Sequence, residues 1–183
     1  GALYTSGKLE ITSNCTIGGT AADGNTAGNT SSSVTSGGGG IYVFSGTCIL
    51  DNVTVMGNII NGSSKGTGVR LHSTSAGSTV FTVKGTTKIG GSADTNAVYV
   101  SYTGPTQFVA ITADNLQPGT YINIEPGSYP SQKNKELVKG EHASIYAAYF
   151  HLTGVPAGET WNLSPNADDN ALRLRQQEVI DSS

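Results

Sequence analysis

A short triplet, apolar then any residue then apolar, returns at nearly constant spacing through the first two-thirds of this 183-residue chain. Ile41-Tyr42-Val43 recurs as Val69-Arg70-Leu71 after 28 residues and as Val98-Tyr99-Val100 after 29 more. A second series, Val53-Thr54-Val55, Phe81-Thr82-Val83 and Val109-Ala110-Ile111, steps by 28 each time, and a weaker third runs Ile60, Ile89, Leu116. Gly, Ser, Asn or Asp bound each triplet, and the alternation is that of a strand with one buried face. The first copy is degraded. Ala2-Leu3-Tyr4 stands before Ser6-Gly7 as Ile41-Tyr42-Val43 stands before Ser45-Gly46, and Cys15-Thr16-Ile17 precedes Val53-Thr54-Val55 by 38. The extra length is the polar stretch 18–37, read as an extruded loop.

A fixed period with several strands per repeat fits a solenoid whose every repeat is one turn, with equivalent strands stacked in parallel about 4.8 Å apart. The inward columns are then Ala2, Ile41, Val69, Val98; Tyr4, Val43, Leu71, Val100; Cys15, Val53, Phe81, Val109; and Ile17, Val55, Val83, Ile111. No single repeat buries such a core alone. The spacing predicts an all-β parallel β-helix of about four rungs in preference to a β-sandwich, whose strands have no reason to recur at 28, 28 and 29. Cys15 falls in an inward column, and Cys48 lies five residues before the residue stacked on it. Extended chain separates the two thiols beyond disulfide reach, so both are expected reduced. Asn14 and Asn52 precede the second strand in successive copies. Asn tolerates left-handed turns, and stacked amides hydrogen-bond from rung to rung.

Composition sets two limits. Charged residues are 13% and the net charge is −3 without a Lys/Arg cluster, which excludes a strong nucleic-acid footprint. No apolar run approaches the ~20 residues of a membrane span, so no membrane insertion is expected. Gly1-Ala2-Leu3 is not a signal peptide, so either none existed or the chain is a mature or trimmed fragment. Residues 1–120 hold 21 of the 25 glycines and ten charged residues, and the last 63 hold four glycines and thirteen charges. The division expected is 1–124, repeats, and 125–183, a C-terminal cap. Ile122-Asn123-Ile124 opens a shortened fifth rung just before the cap; within the cap Ser144 starts a helical turn or two, and Trp161-Asn162-Leu163 pairs with Leu172-Arg173-Leu174 as an antiparallel hairpin, with Trp161 plugging the open end.

Chemistry is sparse. The repeat region's acids are Glu10, Asp23, Asp51, Asp94 and Asp114. Glycoside hydrolysis needs two carboxyls ~5–9.5 Å apart. Shifted by the local period, Glu10 falls on Cys48, Asp51 on Thr79 and Asp114 on Thr86, so no acid pair emerges. Tyr42, Arg70 and Tyr99 point outward on successive rungs, a guanidinium between two rings, worth ~0.5–1 kcal/mol when exposed. With His72, Phe44 and Tyr102 beside them they form an aromatic face for a sugar or a partner protein, against the plainer reading of a ladder that only steadies the stack. Asn166, Asp168, Asp169 and Asn170 supply oxygens in a loop but lack the EF-hand spacing, and a plain turn is the preferred reading over calcium. His142 and His151 near Glu141 make no zinc set without a further ligand. Asn29, Asn52 and Asn61 head sequon triplets at the frequency chance gives. No catalytic residue, cofactor or metal is expected.

Gly38-Gly39-Gly40-Ile41-Tyr42-Val43 followed by Ile49-Leu50-Asp51-Asn52, with Ile11-Thr12-Ser13-Asn14 in the first copy, resembles the paired signatures of chlamydial polymorphic outer-membrane proteins. It is similar also to spirochaetal repeat-rich surface proteins with GGGIYV-type strands. The resemblance covers residues 1–124. It implies a right-handed parallel β-helix, on a bacterial surface, outer-membrane-associated or secreted, used in adhesion or host contact. The tail is similar to segments that close such arrays, and with no N-terminal cap in view the resemblance implies a longer repeat protein. The function expected is a non-catalytic binding or adhesion module for a host glycan or surface protein. The alternatives are a structural stalk and a polysaccharide-processing enzyme.

Overall fold

The computed structural model describes residues 3–20, 22–27, 38–61, 65–72, 79–100 and 109–177. The chain is all-β and dominated by one sheet of fourteen strands. The first triplet series lies in parallel register: Leu3–Thr5 pairs with Ile41–Val43, then Val69–Leu71, then Val98–Val100, then the end of Tyr121–Pro126. A second ladder runs Lys8–Gly18, Gly46–Met56, Thr79–Gly85, Ile111–Leu116 and Glu136–Lys139, parallel throughout. Lys88–Ile89 joins the far half of Gly46–Met56 to Tyr121–Pro126, which in turn carries Phe150–Leu152. Parallel pairing therefore continues past residue 125. It ends where Ala171–Gln176 lies antiparallel on Glu136–Lys139 and turns back as a hairpin with Trp161–Pro165. That hairpin is the one the sequence predicts. Among the described residues no helix is long and apolar enough to cross a membrane.

Three registers differ from expectation, each for a reason of chain length. In the first copy Leu3, not Ala2, faces Ile41, and Thr5 faces Val43. The corner there is Ser6-Gly7, one residue shorter than Phe44-Ser45-Gly46, so Tyr4 turns outward beside Tyr42. In the second series Phe81 faces Cys48 rather than Val53, Val83 faces Leu50 rather than Val55, and on the other side Ile111 rather than Val109 faces Phe81, with Ala113 on Val83. Two residues separate Val43 from Gly46 but seven separate Leu71 from Thr79, so the inserted residues break the common period. Val55 faces Ile89, and Ile60 faces Ala27. In the last turn Ile124, not Ile122, continues the first ladder, while Ile122 sits on Ile89.

The corrected columns form the core. Cys48, Phe81 and Ile111 are fully buried, as are Val55, Ile89 and Ile122, and Ile41, Val69, Val98 and Ile124. Each aliphatic member removed from water contributes ~1.5–3 kcal/mol. Leu3, Leu9, Ile11 and Cys15, on the first turn, are only partly buried against the cluster. Cys15 and Cys48 are free thiols, and burial pushes the Cys48 thiol up to about 12.

Left-handed backbone marks the corner that bends the second ladder. Asn14, Asn52 and Asn115 have φ of 52°, 57° and 50°, and Gly85 has 59°. The expected amide stack is not at this corner: Asn52 Oδ1 accepts from the Thr86 N–H at 3.0 Å and from its hydroxyl at 2.9 Å, while its amide donates to Asp51. Toward the C-terminus, the short Ala143–Tyr146 helix is capped not by Ser144 but onto it. Asp169 accepts from the Ser144 N–H at 2.7 Å and from its hydroxyl at 2.9 Å. Trp161 is buried against the Tyr129 ring, 5.3 Å between centroids, and donates to Glu159 at 2.6 Å.

Candidate functional site

The outward side of the first ladder reads Tyr4, Tyr42, Arg70, Tyr99, Glu125 on successive strands. The register thus brings Tyr42, Arg70 and Tyr99 together, but not as an exposed face. Tyr42 is 9% exposed and Arg70 7%. Rings of Tyr4, Phe44 and His72 surround Tyr42, and backbone closes over Arg70. Gly66, at φ 72°, lies so close that a Cβ there would stand 3.1 Å from Arg70 Cβ and 3.3 Å from Tyr99 Cβ. Only glycine permits both that approach and that φ. The Arg70 guanidinium sits over the Tyr99 ring at 5.3 Å, and Lys65 Nζ approaches the same ring at 5.7 Å. Burial raises the Tyr42 pKa, with Arg70 opposing and Tyr4 adding to the shift. Tyr102 lies outside the described residues.

The open part of this surface is one strand earlier. Tyr4 is 62% exposed. Its ring stacks toward Phe44 at 6.1 Å, and Phe44 stacks on His72 at 5.1 Å with planes 14° apart. Tyr42 meets Tyr4, Phe44 and His72 from behind, with ring centroids 5.6, 6.1 and 6.3 Å away. Desolvation first, and the Arg70 charge second, lower the His72 pKa, so the imidazole is neutral at pH 7 and stacks without a charge to solvate. Three rings thus stack in a row, Tyr4 exposed and Phe44 and His72 half-buried, with a buried fourth behind them.

At the other end, the strand Tyr121–Pro126 lies at the bottom of a trough of about 460 Å³. One wall is the 91–95 corner and the other is His151, Leu152, Thr153 and Gly154. Tyr121 stacks on His151 at 4.0 Å with planes 19° apart. Desolvation lowers the His151 pKa. Glu125 lies in the same trough. Burial raises its pKa, against a backbone hydrogen bond from Gly66 and the charge of Lys65. An acid whose folded pKa exceeds its unfolded value carries a penalty that is full above the folded value and fades as pH falls through it. Glu125→Gln is therefore expected to raise the thermal midpoint at pH 7, with the gain shrinking toward acid. Melting curves across that range check it, and a gain that grows on acidification contradicts it.

The amide ladder stands at a different corner. Asn25 donates to Asn58 Oδ1 at 2.9 Å, Asn58 donates to Asn96 Oδ1 at 3.0 Å, and Asn96 donates back to the Asn58 carbonyl at 3.0 Å. Asn123 continues the series, donating to the carbonyls of Gly91, Asp94 and Asn96. Asp94 closes the same corner, accepting from the N–H groups of Gly57 and Asn96 at 2.8 Å each. Gly57, at φ 66°, is needed there: a Cβ would lie 2.3 Å from the Gly19 carbonyl. Asn25 and Asn58 directly precede strands, whereas Asn96 stands two residues before Val98–Val100 and Asn123 lies within Tyr121–Pro126.

The acids of the second ladder alternate with lysine. Glu10 faces Ile49 and pairs with Lys8 at 3.0 Å. Asp51 faces Lys84, which faces Asp114 and pairs with it at 2.6 Å. The carboxyls Asp51 and Asp114 thus flank an ammonium group. In the 166–170 loop, Asn166 Oδ1 accepts from the N–H groups of Asn170 and Ala171, and Asp169 is taken up by Ser144, so these oxygens hold the turn itself. Among the described residues no group of three or more His, Cys, Asp or Glu side chains comes together as a metal site. Comparison with protein-family models, curated proteins and solved structures finds no match.

Proposed function

We propose that the chain is a right-handed parallel β-helix, capped toward its C-terminus, that works as a non-catalytic binding module for the flat face of a saccharide. The coil reading is supported by equivalent strands pairing in parallel at every turn. The division proposed is repeats over 1–124 and a closing region over 125–183. The resemblance of residues 38–43 and 49–52 to bacterial surface repeats supports display at a bacterial surface, outer-membrane-associated or secreted.

The observation that carries the binding reading is the platform of Tyr4, Phe44 and His72, rings in a row at the surface. An exposed Tyr4 beside two half-buried rings is the kind of aromatic patch that takes part in binding, and ring faces take the apolar face of a sugar as they take other flat apolar surfaces. The test is a glycan array probed with the intact chain. Binding that falls at least tenfold in the double variant Tyr4→Ala, Phe44→Ala is expected. The second reading is a structural stalk, favoured by the burial of Tyr42 and Arg70, which makes the middle of the ladder part of the packing. A folded chain that binds nothing on the array supports the stalk.

A further inference from the structure

We infer that the trough over Tyr121–Pro126 is a second saccharide site, in which the stacked Tyr121–His151 pair supplies a platform and Glu125 accepts hydroxyl hydrogen bonds. The site rests on the reading of the chain as a saccharide-binding module, but on none of the residues of the Tyr4 patch. Its volume, about 460 Å³, lies in the ~300–1,000 Å³ range of small-molecule clefts, and its lining sets two rings and Leu152 among small and polar residues, a composition suited to a polar ligand.

The register explains how the trough is built. Tyr121 and Glu125 point outward from one strand, two side-chain pairs apart on the same face. The 91–95 corner is held up on one side by Asn123, whose amide donates to the carbonyls of Gly91 and Asp94. The other side is Phe150–Leu152, in parallel register on the same strand, followed by Thr153 and Gly154. Thr153 is pinned by its N–H to the Ile124 carbonyl at 2.9 Å, and its own carbonyl accepts the Tyr129 hydroxyl at 2.6 Å. Walls and floor are thus fixed by the fold before any ligand arrives, which lowers the entropy of binding lost to ordering.

The chemistry selects the ligand. Because Tyr121 and His151 cover each other's inner faces, only single outer ring faces are left to a ligand, not the several converging faces that enclose an ammonium group. Two carboxyls line the trough, but Asp94 is taken up by the N–H groups of Gly57 and Asn96 and Glu125 has Lys65 in its field, so a further cation meets partly offset charge. A neutral ring with an apolar face and a rim of hydroxyl donors satisfies both features. Keeping a half-buried carboxylate here lowers stability, and a group kept against stability in a cleft points to use.

The uniformly labelled whole chain is titrated, by heteronuclear NMR, with methyl β-D-glucopyranoside, methyl β-D-galactopyranoside and N-acetylglucosamine, and separately with tetramethylammonium. At least one of the three sugars is expected to shift Tyr121, Glu125 and His151 saturably. Tyr121→Ala should weaken that binding tenfold or more, and Glu125→Gln several-fold while leaving the fold unchanged. The inference is overturned if no sugar shifts these residues, if tetramethylammonium shifts them in preference, or if both variants bind as the wild type does. Shifts confined to Tyr4, Phe44 and His72 remove this site and keep the binding reading. Shifts confined to the trough keep this site and remove the Tyr4 platform. Mapping on the wild type decides the matter even where Tyr121→Ala does not fold.

Discussion

Asn58→Leu is expected to destabilise the chain by about 3–5 kcal/mol, although leucine fills a similar volume and the surroundings are buried. Asn58 is the most connected amide of its corner. Its Oδ1 accepts from the Asn25 backbone at 3.3 Å and side chain at 2.9 Å, and its Nδ2 donates to Ile17, Met56 and Asn96. Leucine takes the acceptor from the Asn25 backbone and side-chain amides and the side-chain donor from Asn96, and removes one bond to the Ile17 carbonyl. Each buried group so orphaned costs about 1–3 kcal/mol, far more than a made hydrogen bond contributes net. Against a total stability of ~5–15 kcal/mol, the loss is large. Asn25→Leu, at the start of the series, should cost about 1 kcal/mol, because it breaks one side-chain bond. Urea unfolding of the two variants decides between a cooperative ladder and a set of independent contacts. Equal losses, or a loss below about 1 kcal/mol for Asn58→Leu, remove the ladder from the account of stability.

What the sequence made legible follows from the length of each connection. The triplets at 41–43, 69–71 and 98–100 were readable down to the register, because alternation fixes which face is inward and the insertions fall outside them. The second series was legible as strands but not as columns. A common step of 28 assumes equal corners, and the corner after Leu71 is five residues longer than the one after Val43. For the same reason Tyr4 was assigned inward and lies outward.

The candidate face was half legible. Sequence spacing brought Tyr42, Arg70 and Tyr99 together correctly, but nothing in it tells that the Gly66 backbone closes over Arg70 and Tyr99. Asn14 and Asn52 drew notice as the likeness between two adjacent copies, and their left-handed backbone was foreseen. Asn25, Asn58, Asn96 and Asn123 stand at unequal intervals, so periodicity does not align them, and only the folded corner does. The Tyr121–His151 pair was hidden in the same way. Its two strands follow Pro126 on one side and precede it on the other, where the repeat no longer shows in the residue types.

Phe81→Ala is the test of the corrected column. Phe81 is fully buried, with Cys48 on one side and Ile111 on the other in parallel register. Truncating a buried phenylalanine costs about 3–5 kcal/mol, from lost transfer energy and from the cavity left behind. The neighbour Val80, 43% exposed on the opposite face of the same strand, should lose less than about 1 kcal/mol on change to alanine. Cys48 turns the stability measurement into a positional one. Its thiol is buried and its pKa is pushed up to about 12, so it reacts with a thiol reagent at pH 7 only when the structure opens. At about 1.4 kcal/mol per tenfold, the Phe81→Ala loss raises the opened fraction by roughly a hundredfold or more, and Cys48 labelling should accelerate by that factor. Cys15 sits half-buried on the outermost turn and should react quickly in both proteins. The arrangement in which Phe81 covers Val53 makes a further demand, that Phe81→Ala in a Val53→Ala background be strongly non-additive. In the register described, Val53 faces Cys15, so the strong coupling is with Cys48, and a Cys48→Ala, Phe81→Ala cycle should show it while the Val53 cycle stays near additive. Strong coupling to Val53 with none to Cys48 would restore the uniform period and overturn the columns drawn here.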